Sequence, residues 1–84
     1  MTDIAEELRN ETIKWLERIK DKIRHVKAVD KRGEEFLRNI EAYISDSEYF
    51  LKKEDLVRAF ECVVWAWAWL EIGLNIKILV IHQK

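Results

Sequence analysis

Cys62-Val63-Val64-Trp65-Ala66-Trp67-Ala68-Trp69-Leu70 is an unbroken run of nine apolar residues in an 84-residue chain that is 37% charged. On a helix this stretch and its flanks form two apolar stripes. Leu56, Phe60, Val63, Trp67, Leu70 and Leu74 follow one another at alternating steps of four and three along one face. Cys62, Trp65, Trp69, Ile72 and Ile76 do the same along a nearly opposite face. A helix at the surface of a globular domain needs only one such stripe. The second needs a cover, supplied by the rest of the chain or by another chain. The run therefore predicts a central helix and marks Cys62, Trp65, Trp69, Ile72 and Ile76 as a candidate interaction surface.

Working outward, there is no proline, and Gly33 and Gly73 are the only glycines. Such a chain has few places to turn, which favours long helices over a turn-rich β fold. Asp3 is placed to cap a first helix over about residues 3–27, with Glu6 completing a capping-box pattern and apolar positions at Leu8, Thr12, Leu16, Ile19, Ile23 and Val26. Asp30 caps a second helix over about 31–53, in which Phe36, Ile40, Tyr43, Ser47 and Phe50 form the inner stripe. Asp55 caps a third over about 55–73, with Gly73 as its C-terminal stop. Asp46, beside Ser47, is a candidate for a hydrogen bond across a helix interface. Similar helix lengths and short connections give antiparallel neighbours. The expected fold is all-α: one domain over 1–84, a three-helix up-and-down bundle with an apolar C-terminal tail. The tail, 74–84, is β-branched enough to be extended and spaced well enough to continue the helix. It is too apolar to hang free in either form.

The stretches Tyr43-Ile44-Ser45-Asp46-Ser47-Glu48-Tyr49-Phe50, Asp55-Leu56-Val57-Arg58-Ala59-Phe60-Glu61 and Trp65-Ala66-Trp67-Ala68-Trp69-Leu70-Glu71-Ile72-Gly73 together resemble a short archaeal family, the domain of unknown function 357. The resemblance spans about residues 10–75 and is densest over 36–73. It implies a small closed three-helix bundle in an archaeal cytoplasm, and it implies no activity. Glu71 stands where the family tends to have Asp, and the segment from Ile76 to Ile81 lies outside the resembling pattern.

Net charge is −1, but it is unevenly distributed. Residues 18–32 carry seven bases and two acids, whereas residues 33–72 carry nine acids and four bases. The near-neutral total gives no general attraction to nucleic acid or anionic membrane. The block Arg18, Lys20, Lys22, Arg24, His25 and Lys27 is a candidate phosphate-backbone surface, because such contacts need several cations on one face. Its plainer reading is a helix end whose bases complement the dipole and pair with Glu34 and Glu35. No aromatic residue interleaves with the block in sequence, which argues against single-strand base reading. Arg18 and His25 also stand at the separation found in the Arg–His signature of HEPN-type helical ribonucleases, a spacing common by accident in a basic helix.

Other chemistry has little support. Cys62 is alone and reads as a small buried hydrophobe. His25 and His82 are the only histidines, and no zinc or di-iron ligand pattern surrounds them. With two glycines there is no phosphate-cradling loop. The expectation is no enzyme, no metal, no cofactor and no membrane span, since a span needs about 20 apolar residues. The chain reads as a cytoplasmic interaction or assembly module, forming a homodimer or other self-association through the third helix or binding another protein. The runner-up is a nucleic-acid-associated protein using the basic end of the first helix.

Overall fold

A computed structural model describes residues 3–82. The helices are α1 (Ile4–Ile23), α2 (Lys31–Lys52) and α3 (Leu56–Asn75), and two short strands, β1 (Val26–Ala28) and β2 (Leu79–Ile81), complete the fold. The three aspartates start the helices as their positions suggest. Asp3 accepts from the Ala5 amide at 3.2 Å, Asp30 from Gly33 at 3.0 Å and Asp55 from Arg58 at 3.3 Å. Each satisfies one backbone donor that the first helical turn leaves unpaired. One guanidinium nitrogen of Arg9 donates to both carboxylate oxygens of Glu54 at 2.7 Å, which ties the start of α1 to the α2–α3 turn. The helices therefore run up, down and up, in a molecule of 45 × 22 × 18 Å.

α3 is the central element. It packs closely on α2, less extensively on α1, and separates them so that α1 and α2 touch little. Its buried line is Ala59, Val63, Ala66, Leu70 and Gly73, which keeps Val63 and Leu70 of the first stripe and adds the small residues that lie between the two stripes. Ala59, Ala66 and Gly73 recur every seven residues, and small side chains let backbones approach. The closeness is visible at Ser47, fully buried on α2, whose hydroxyl donates to the Ala59 carbonyl at 2.7 Å. The cross-helix hydrogen bond thus belongs to Ser47, while Asp46 beside it is exposed. Leu16 and Ile19 of α1, Ile40 and Ile44 of α2, and Val63 and Leu70 of α3 meet in one core with Val26, Ile78 and Leu79.

The ends of the helices differ from the sequence expectation. α1 stops at Ile23 rather than near residue 27, because Val26–Ala28 leave the helix to pair with the tail. β1 and β2 are antiparallel in the register Val26↔Ile81, Lys27↔Val80, Ala28↔Leu79. The bundle is thus closed at one end by a two-stranded ribbon. α3 continues through Gly73 to Asn75, so Gly73 is an interior residue and not the stop. The stop is one turn later. The Lys77 amide donates to Leu74 and the Ile78 amide to Gly73, at 3.3 and 3.1 Å, with Lys77 in the left-handed region at φ 67°. That is a Schellman ending, and α2 ends the same way around Glu54 at φ 63°.

Both glycines are explained by the seating of the tail. A Cβ on Gly33 would overlap the backbone oxygen of Ile78 and stand 3.0 Å from the Ala28 Cβ. A Cβ on Gly73 would overlap the end of the Leu79 side chain, with Phe36 Cδ2 at 3.2 Å. The tail expected over 74–84 forms two more helical residues, a turn and a strand, with residues 83 and 84 outside the described residues. Ile78 and Leu79 are 2% and 1% exposed, so these two residues of the tail form part of the core.

Candidate functional site

The second stripe of α3 divides. Trp69 and Cys62 lie on the flank that faces α2. The Trp69 ring meets Phe36 edge-on, with centroids 4.6 Å apart at 76°. Its indole N–H is buried and finds no acceptor among the described residues, a cost of about 1–3 kcal/mol that packing must offset. Burial pushes the Cys62 thiol upward, and the negative charges of Asp46 and Glu61 push it the same way. It is therefore a poor nucleophile. Trp65, Ile72 and Ile76 stay outside, at 55%, 50% and 55% exposure. Trp65 has a partial cover in Tyr43 of α2, whose ring lies nearly parallel to it at 6.4 Å and 20°. Of the five residues marked from sequence, three form an open apolar line and two belong to the α2–α3 packing.

The basic block is dispersed. Lys20 reaches across to Glu48 on α2 at 2.6 Å, and this contact holds its ammonium pKa up. Arg24 pairs with Asp21 at 3.6 Å. Neither Glu34 nor Glu35 holds a cation of the block among the described residues. His25 lies in the turn after α1, its carbonyl accepting from the His82 amide, and Lys27 is on β1. Because the helix has ended, Arg18 and His25 do not share a continuous helical face, which removes the geometric basis of the ribonuclease-like spacing. The six residues of the block form no continuous stripe.

Arg18 and Lys22 remain together, and they are beside aromatic rings. The Arg18 guanidinium lies 4.9 Å from the Trp15 ring centre, and the Lys22 ammonium 5.8 Å from that of Trp67. The two indoles meet edge to face at 5.7 Å and 86°. Trp15 is local to the block, one turn before Arg18, but its partner Trp67 comes from α3. This arrangement could not be read from a linear search for aromatic residues between the bases.

Among the described residues no group of three or more His, Cys, Asp or Glu side chains is placed to hold a metal ion. No helix among them is long and apolar enough to cross a membrane.

Known proteins give a consistent likeness. No curated protein matches the chain. A crystal structure of a protein of this kind from Archaeoglobus fulgidus superposes with a TM-score of 0.88 at 62% identity, covering 95% of this chain and 100% of that one. The family model described as a protein of unknown function (DUF357) matches residues 13–79. That span reaches Leu79, so the family pattern includes much of the tail that the sequence resemblance left out. A match over most of the chain, joined to that structural likeness, shows that the chain belongs to the DUF357 family.

Proposed function

We infer that this protein is an assembly module that self-associates through the outer face of α3. The observation that carries this reading is the line of Trp65, Ile72 and Ile76, each at least half exposed on one helix face. Tryptophan is a favoured interface anchor, and an exposed line of large apolar groups favours a partner over water. Cys62 and Trp69 support the line from beneath rather than forming part of the contact. A twofold arrangement, with the same face used by both copies, is the simplest closed assembly. One helix face is smaller than the about 1,200–2,000 Å² of a standard stable interface, so the association is weak and concentration-dependent.

Sedimentation velocity across a dilution series tests this. The expected result is a monomer at low concentration that shifts to a dimer as concentration rises, with Ile72→Glu abolishing the shift and leaving the helical content intact. A monomer at every concentration, or a dimer indifferent to Ile72→Glu and Trp65→Glu alike, would overturn the assignment.

A further inference from the structure

We propose that the corner made by Trp15 and Trp67 binds a nucleobase that carries a phosphate, the base entering the slot and the phosphate resting on Arg18 and Lys22. The slot lies between α1 and α3, has a volume of about 270 Å³, and is lined by Trp15, Phe60, Val63, Val64, Trp67 and Glu71. It is separate from the outer face of α3, since Trp65, Ile72 and Ile76 do not line it.

The chemistry of the walls selects the ligand. Trp15 Nε1 donates to Glu11 at 3.2 Å, and Trp67 Nε1 donates to the Trp15 carbonyl at 3.1 Å. Both indole donors are occupied, so the two rings offer aromatic surface rather than polar groups. Val63, fully buried, forms the floor. The volume falls below the about 300–1,000 Å³ typical of pockets for drug-sized ligands, which suits a single flat ring system.

Arg18 and Lys22 lie outside the lining, beside the Trp15 and Trp67 rings, and their charge favours an anion next to the slot. Arg18 and Lys22 stand four residues apart on α1 and share a face. Neither is in an ion pair among the described residues, whereas the third nearby cation, Lys14, is held by Glu11 at 2.8 Å. The one carboxylate lining the slot, Glu71, has no ion-pair partner among the described residues either, while the charge of Arg18 also acts on Glu11 outside the slot. Glu71 supplies an acceptor for an exocyclic amino group, so an adenine is the natural probe. Aromatic surface for the base beside cations for the phosphate is how single-stranded nucleic acid is held without base-specific grooves. The same chemistry would take a free nucleotide.

The test is quenching of intrinsic tryptophan fluorescence, with calorimetry, using adenosine 5′-monophosphate, ribose 5-phosphate, a single-stranded oligoadenylate and a DNA duplex, each at low and high salt. The nucleotide should bind roughly tenfold or more tightly than ribose 5-phosphate, since base stacking on an aromatic ring contributes about 1–3 kcal/mol. Binding should weaken with salt. Arg18→Gln and Val64→Glu, both at exposed positions, should weaken nucleotide binding several-fold with unchanged thermal unfolding. An oligoadenylate that binds more tightly than the nucleotide identifies a strand as the ligand; equal affinities identify a free nucleotide; both outcomes uphold the base in the slot. Equal binding of adenosine 5′-monophosphate and ribose 5-phosphate would overturn the proposal without recourse to any variant. So would a duplex bound as tightly as the single strand, or no binding by nucleotide or strand at low salt.

Discussion

Replacing Gly33 by alanine should destabilise this protein even though it improves a helix. Gly33 is the third residue of α2, where alanine is favoured over glycine by up to about 1 kcal/mol. The new Cβ, however, overlaps the backbone oxygen of Ile78. A backbone atom cannot rotate away as a side-chain tip does, so the tail must lift. Lifting it breaks the 2.9 Å bond from the Val29 amide to the Ile78 carbonyl and exposes Ile78 and Leu79, now 2% and 1% exposed. Full burial of such a side chain is worth about 1.5–3 kcal/mol, and area-based figures are upper estimates. After the helix gain is set against this, the net loss should be about 2–4 kcal/mol. For a domain of this size that is a fall in Tm of about 10–20 °C. The assay is urea and thermal unfolding followed by circular dichroism, in the full chain and in a chain ending at Lys77. Without Ile78 and β2 the backbone overlap is gone and the remaining close neighbour, Ala28 at 3.0 Å, is released from its ladder, so the same substitution should become neutral or stabilising by up to about 1 kcal/mol. The sign must reverse between the two backgrounds. A Gly33→Ala variant as stable as its parent, or one that costs the same with and without the tail, would refute the account of why glycine stands there.

Lys77→Gly should raise stability by about 0.5–1 kcal/mol and Tm by a few degrees in a thermal melt, because Lys77 occupies the left-handed region at φ 67° that costs a side chain about 1–2 kcal/mol; a lower Tm would contradict the helix ending described. Asp30 and Asp55 are held below the usual carboxylate range, Asp30 chiefly by the Gly33 amide and Asp55 chiefly by the Arg58 side chain. The folded state thus takes up their protons less readily than the unfolded state, and the stabilisation is complete above the unfolded value of about 3.9 and lost as pH falls through the lower folded values. A plot of Tm against pH should therefore drop below about pH 4, less steeply in Asp30→Asn and Asp55→Asn; an unchanged slope in both variants would remove these caps as the cause. Finally, Trp69→Ala should lose roughly 3 kcal/mol of unfolding free energy in denaturant titrations, as for a packed core Trp, while Trp65→Ala should lose less than half of that and act on sedimentation instead. Equal losses would mean that Tyr43 shelters Trp65 as completely as Phe36 shelters Trp69.

The parts of the fold that were readable from sequence are those governed by local rules. A carboxylate before a periodic apolar segment is a cap because its oxygen reaches amides two or three residues on, and Asp3, Asp30 and Asp55 all do this. The inward face of α3 was not readable in the same way. Counting large apolar residues identifies two stripes, yet helices come closest where side chains are smallest, and the line of closest approach is the one through Ala59, Ala66 and Gly73. That places Trp67 and Trp69 on the two flanks of the contact and leaves Trp65 outside it, although all three look alike in the sequence. Residues 26–28 carry no local signal strong enough to end a helix; they become a strand only because Leu79–Ile81 arrive from the far end of the chain. The same non-local cause accounts for the glycines. In a chain without proline, Gly33 and Gly73 read as punctuation, but neither has a positive φ. Each is a contact residue, small because the tail passes there. The Trp15–Trp67 slot is hidden for an equivalent reason, since one wall, Trp15, comes from α1 and the other five lining residues come from α3. A residue whose identity is set by what approaches it from elsewhere cannot be assigned from its neighbours in sequence, and in this protein the tail seat and the slot are both of that kind.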